Sequence, residues 1–216
     1  MPKRTFFRLD EDKRERVIRS AIEEFRVNGY ENAKIGTIAK NANIANGSIY
    51  QYFNDKRELF MYCVNWTIEN FMRELDRQAP LAGLDLMEYI QSGVTERMAY
   101  WKQEPDLARF AHDLSIGAIG FPAGEENPAP AMYGAHIPKL IANGRKWGTI
   151  RDDVDNWLLE AAVRGIVRET EEMVYLKAEA ADFSLSPEQM EENAALLRTI
   201  NDILTNGLLR KGDKTD

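Results

Sequence analysis

Gly47-Ser48-Ile49-Tyr50-Gln51-Tyr52-Phe53-Asn54-Asp55-Lys56 is the stretch on which the reading of this chain turns. On a helical wheel Ile49 and Phe53 fall one turn apart on one side, while Ser48, Gln51 and Tyr52 share the other. So short a helix buries its apolar back and offers its polar front. Ser and Gln can donate to and accept from base edges in the major groove, and Tyr can reach phosphate. An ordinary solvated face fits the same residues, so the segment alone leaves both readings open. Asp55-Lys56-Arg57-Glu58 then has the form of a capping box, Asp55 accepting from the backbone and Glu58 reaching back, which predicts a long helix from this point.

Working outward toward the amino end, Val17, Ile18, Ala21, Ile22 and Phe25 make one apolar stripe, which predicts a helix over 11–28 ended by Gly29. Ile35, Ile38, Ala39 and Ala42 mark a second, shorter helix. Asn43 tolerates the left-handed conformation that a tight turn needs. Asn46–Tyr52 forms the third, with Asn46 left to cap it because Ala45 cannot. In the other direction the fourth helix continues to about Gln78, where Ala79-Pro80-Leu81-Ala82-Gly83 breaks it. Further helices are predicted near 85–103, 105–118, 131–146, 153–178 and 187–211. Pro105 sits in a first turn, Ser186-Pro187-Glu188-Gln189 is a second capping box, and Gly120–Pro130 is a loop. No β alternation of any length appears. The expected fold is all-α with about nine helices: a three-helix helix-turn-helix domain over 1–54 and a helical effector-binding and dimerisation domain over 55–216.

A chain of 216 residues that is 44% hydrophobic can bury a proper core. No stretch approaches the roughly 18 apolar residues of a spanning helix, which predicts a soluble cytoplasmic protein and no membrane partner. Cys63, the single cysteine, can form neither an intrachain disulfide nor a CxxC pair, and reads as a small buried apolar residue. The net charge of −7 is unevenly spread: residues 1–60 hold 12 Lys+Arg against 9 Asp+Glu, or +3, and the remainder carries −10. A basic head on an acidic body points to a polyanion at one end only.

Across about 16–60 the residues Ala21, Phe25, Gly29-Tyr30, Ile38-Ala39, Ala42, Gly47, Ile49-Tyr50, Phe53, Lys56 and Leu59 together resemble the DNA-binding signature of the tetracycline-repressor (TetR) family. Two departures are Asn43 where glycine is usual in the turn and Ala45 where a serine is common. The resemblance implies a homodimeric regulator that binds an inverted-repeat DNA operator and is released by a small, mostly apolar effector. It implies backbone and base contacts from Lys34, Ile35 and Thr37, and major-groove positions at Asn46, Gly47, Ser48 and Gln51. It implies phosphate contacts from Tyr50 and Tyr52, and a phosphate held by Lys56 at the amino end of the fourth helix.

Beyond residue 60 the resemblance is one of architecture, and inference is local. Leu158, Ala161, Ala162 and Gly165, with Leu197, Ile200, Leu204 and Leu208, suit a two-fold interface in which small residues let helices approach closely. The same stripes could instead serve the chain's own core. Trp66, Phe71, Met98, Trp101, Phe110, Phe121 and Tyr133, with His112 and His136, are candidate lining for an effector pocket, although such an aromatic set is also what a plain core uses. No cofactor or metal is called for. An enzyme is the rival class, but there is no phosphate-binding glycine loop, paired metal-ligand motif or nucleophile elbow. A packaging protein without sequence preference disagrees with the acidic body. Activation in place of repression, or binding without an effector, stays open.

Overall fold

The computed structural model describes residues 1–78, 83–84 and 86–206, and of residues 75–78, 87, 91–96 and 132–133 the backbone only. The described chain is helical throughout, with no strand: α1 (Arg4–Phe7), α2 (Glu11–Asn32), α3 (Ile35–Asn41), α4 (Asn46–Tyr52), α5 (Lys56–Gln78), α6 (Leu86–Gln103), α7 (Pro105–Ser115), α8 (Ala129–Tyr133), α9 (Ile137–Trp147), α10 (Asn156–Ala180) and α11 (Pro187–Asn206). The expected nine helices become eleven among the described residues for two reasons. The four-residue α1 has no periodicity to announce it. The predicted helix 131–146 is broken between α8 and α9, where Gly134 stands in the turn and Pro138 occupies the first turn of α9. The helix expected over 105–118 stops at Ser115, because Gly117 takes φ +73° and the Ala118 N–H turns back to the Asp113 carbonyl at 2.8 Å.

The chain forms two compact units, one from Met1–Arg77 with Gln103–Ala135 and the other from Gln78–Lys102 with the residues from His136 onward. The first unit therefore takes in α5 and α7 beside the three-helix head. Its core includes Val17, Ala21, Phe25, Ile38, Phe53, Leu59, Phe60, Phe110 and Leu114, all fully buried. α2 starts where the Asp10 carboxylate accepts from the Lys13 N–H at 2.8 Å. It kinks at Gly29, whose φ of +67° would strain a side chain. At the next corner Asn43 takes φ +55° and the Ile44 N–H closes onto the Ala39 carbonyl at 2.9 Å, so the expected left-handed residue is in place. The α5 box forms one residue out of register on one side: Asp55 accepts from the Glu58 N–H at 2.7 Å, and Glu58 accepts from the Asn54 N–H at 2.6 Å. Cys63 is fully buried, and burial pushes its thiol up.

In the second unit Trp101 meets Tyr175 edge-on at 5.4 Å, and both rings pack near Phe183 in the turn after α10. Ser186 and Gln189 form the reciprocal box at the start of α11, with bonds of 2.8 and 3.2 Å. Among the described residues no helix is long and apolar enough to cross a membrane.

Candidate nucleic-acid interface

α3 and α4 meet at the Asn43 corner, their backs turned into the first unit's core through Ile38, Ala39 and Ile49, which are 0–1% exposed. The α3 entry is held from behind by a group the sequence did not single out. Glu24 is 7% exposed on the inner side of α2 and accepts from the Lys34 N–H at 2.8 Å. That bond satisfies a backbone donor at the head of α3 that no local side chain caps. Lys34 itself is exposed, while Ile35 and Thr37 are half-buried.

Along α4 the residues left to solvent are Asn46, Gly47, Tyr50 and Gln51, with Ser48 half-buried beside them. Open space surrounds the Gly47 Cα, so another backbone could approach it closely. Ala45 is the residue before the helix and Asn46 already its first, with no side-chain cap. The expectation that Asn46 takes over capping is thus corrected. So is the wheel position of Tyr52: it is 6% exposed and its ring lies 6.0 Å from Phe6. It belongs to the interior flank of α4, because the chain before α2 folds back over that side.

This arm is the main feature that sequence reasoning missed. Phe6 is fully buried, with ring centroids of Phe53 at 4.8 Å and Tyr62 at 5.3 Å. Around it, the Lys3 N–H donates to the Tyr52 carbonyl at 2.8 Å, Lys3 Nζ to the Tyr50 carbonyl at 2.8 Å and Thr5 Oγ1 to the Gln51 carbonyl. The last three carbonyls of α4 are thereby satisfied from outside the helix. Arg4, Phe7 and Arg8 remain exposed on the arm.

Lys56 is already engaged within the chain. Its ammonium donates to the Glu31 carbonyl at 2.9 Å and the Ala33 carbonyl at 3.3 Å, and sits 4.8 Å from the centre of the Tyr30 ring. It clips the start of α5 to the junction of α2 and α3. The neighbouring Arg57 pairs with Glu125.

The nine candidate pocket residues do not gather in one place. Trp66, Phe71, Phe110, His112 and Phe121 belong to the first unit; Met98, Trp101 and His136 belong to the second; the Tyr133 side chain lies outside the described residues. Phe110 is fully buried in the core, and Phe121 meets Phe60 edge-on at 5.2 Å. No group of three or more His, Cys, Asp or Glu side chains among the described residues could hold a metal. On α10, by contrast, Leu158, Ala161, Ala162 and Gly165 are all exposed and continue into exposed Met173 and Leu176, a single apolar row at helical spacing. On α11, Leu197 is buried and Ile200 and Leu204 are half-buried; Leu208 lies outside the described residues.

A sequence profile described as "Bacterial regulatory proteins, tetR family" matches residues 17–63. The "HTH-type transcriptional regulator HbdR" of Aromatoleum sp. (strain CIB) is 32% identical over 71 residues, which are 33% of this chain and 31% of that protein. The match thus spans less than a third of that relative's length. The solved structure of a TetR family transcriptional regulator from Chloroflexus aurantiacus J-10-FL has a TM-score of 0.69 at 25% identity, covering 98% of this chain and 100% of the other. That of FadR from Bacillus subtilis, in complex with stearoyl-CoA, has a TM-score of 0.64 at 19% identity and covers 90% of this chain and 99% of the other. The shared fold runs over nearly the whole length, whereas the shared sequence is confined to the head.

Proposed function

We propose, from the chain's membership of the TetR family of bacterial regulatory proteins, that this DNA-binding transcription regulator is a homodimeric repressor on an inverted-repeat operator, released by a small, mostly apolar effector. The observation that carries the DNA half is the face of α4. Asn46, Gly47, Tyr50 and Gln51 are exposed on a seven-residue helix whose back is fully buried, behind a closed left-handed corner at Asn43. A rigid scaffold that presents a short polar helix matches what a recognition helix must do, since base readout needs side chains fixed to within hydrogen-bond tolerance. Gln51, Ser48 and Asn46 read base edges; Lys34, Tyr50 and the spare donor of Lys56 hold phosphates, with Ile35 and Thr37 flanking them. Residues 1–54 do the binding, and residues 55–216 sense and dimerise.

The apolar row on α10 supports the dimer. Leu158, Met173 and Leu176 are each 45–51% exposed, and so extended a row on one helix is what a self-complementary interface covers. Two heads related by a two-fold axis then meet half-sites about one helical turn apart, roughly 34–36 Å. The stearoyl-CoA in the FadR complex supports a ligand in the helical body. α5 runs from Lys56 on the DNA side toward the second unit, so a ligand that shifts α5 changes the spacing of the heads.

Gel retardation with DNA flanking the gene, followed by footprinting, tests this reading. One protected inverted repeat that survives excess random DNA is expected; retardation of all DNA alike, or of none, overturns it.

A further inference from the structure

We propose that the second unit carries an anion site in which Arg97 and His136, beside Tyr89, take the carboxylate of the effector. This rests on the effector reading above and names the polar end of the ligand.

Arg97 and His136 are a strange pair to find inside a helical body. The Arg97 side chain is 3% exposed, and His136 is 7% exposed. Arg97 donates to the Tyr89 hydroxyl at 3.2 Å and pairs with Glu171 at 3.1 Å, its cation 5.5 Å from the Tyr89 ring centre. The His136 ring packs on the other side of the same tyrosine, 4.6 Å between centroids. Neither imidazole nitrogen has a hydrogen-bond partner, although both are buried. A ring there only for packing would be better as phenylalanine, since each unmet polar atom carries a desolvation cost. Something with hydrogen-bonding atoms belongs against it.

The surrounding charge says which kind. The groups facing the imidazole are Arg97 and Arg164 by their charge and Tyr89 by contact, while Glu171, the acid paired with Arg97, is itself a third exposed. Burial first, then those two arginines, push His136 down to about 4, so near neutrality it is an uncharged ring offering one N–H and one lone pair. Two guanidinium groups against one carboxylate leave the site short of one negative charge. A ligand carboxylate would accept from the His136 N–H and from Arg97, while a neutral or cationic head would leave both donors unmet.

Calorimetric titration of full-length protein tests this with octanoate and benzoate, each against its neutral counterpart, octanol and benzyl alcohol. At least one acid should bind at one per chain, ten-fold or more tighter than its alcohol. His136→Phe keeps the ring and should weaken the acid ten-fold or more without lowering the melting temperature. Arg97→Gln combined with Glu171→Gln, which leaves no unpaired charge behind, should abolish the preference for acid over alcohol. Equal binding of acid and alcohol, wild-type acid affinity in His136→Phe, or no acid binding at all overturns the site. Parallel operator retardation keeps the two ideas apart. An alcohol that releases DNA while the acid preference is missing sinks the anion site alone. An acid bound through Arg97 and His136 that leaves operator affinity unchanged sustains the site and sinks the effector reading.

Discussion

Replacing Lys56 with methionine separates two jobs that one ammonium could hold. Its bonds to the Glu31 and Ala33 carbonyls and its place over the Tyr30 ring are internal. Hydrogen bonds to a charged group contribute about 1.5–3 kcal/mol and a partly exposed cation–π contact about 0.5–1. Both carbonyls sit near the surface and can rehydrate, so the net loss should be about 1–2 kcal/mol. In a chain of this length that lowers the melting temperature by about 2–8 °C. A phosphate contact has a different signature: each one released flattens the log-affinity against log-salt slope by about 0.9, roughly eightfold in affinity at 0.1 M salt.

Lys56→Met should therefore show both effects, measured by thermal melting and by retardation of operator and random DNA over a salt series. The affinity loss should be the same on both DNAs, because phosphate contacts carry no sequence information. Lys56→Arg should retain most of the DNA affinity. An unchanged melting temperature would refute the clip between α5 and the end of α2. A lower melting temperature with an unchanged salt slope would refute the phosphate role and leave Lys56 a structural clip only.

Gln51→Ala and Ser48→Ala should relax preference at particular base pairs by about 1–3 kcal/mol each, read by selection from randomised operators; an unchanged selected sequence would remove them from the base readers. Leu176→Glu places a charge on the exposed row of α10, where the side chain is 51% exposed in the single chain. Sedimentation should show monomers that melt near the wild-type temperature and no longer hold the operator, whereas an intact dimer would move the interface off α10. His136 should give a pH signature of its own. Its folded value is lowered from 6.5 to about 4, so between those pH values the unfolded chain binds a proton that the folded chain refuses. Stability contributed by keeping this ring neutral is thus lost as pH falls through that window, reaching about 3 kcal/mol at 1.36 kcal/mol per unit. Urea midpoints at several pH values should show a shallower fall for His136→Phe than for wild type; parallel curves would mean that the ring takes up its proton in the folded state.

What was legible in the sequence was whatever repeats within one or two turns of helix. The Val17 to Phe25 stripe, the Asn43 corner and the Ser186-Gln189 box each rest on neighbours three to five residues apart, and all three stand in the structure. What was not legible depended on partners far along the chain. One phenylalanine in a four-residue helix makes no period, yet Phe6 lies against Phe53 and Tyr62 and turns one flank of α4 inward. Glu24 looks like any helix carboxylate until the Lys34 N–H arrives ten residues later. Aromatic content pointed to a pocket but could not say which rings share a unit, and Phe110 and Trp101 fall in different ones. The narrowed α4 face follows from the same long-range cause. With Tyr52 inside, the wheel position at 60° from Ile49 is lost to DNA, and the readers cluster toward the amino end of the helix, where Asn46, Gly47, Tyr50 and Gln51 stand exposed. The arm that buries Tyr52 also supplies the donors for the Tyr50, Gln51 and Tyr52 carbonyls, so the aim of those readers is set in part by residues 3–6, outside the motif that announces them.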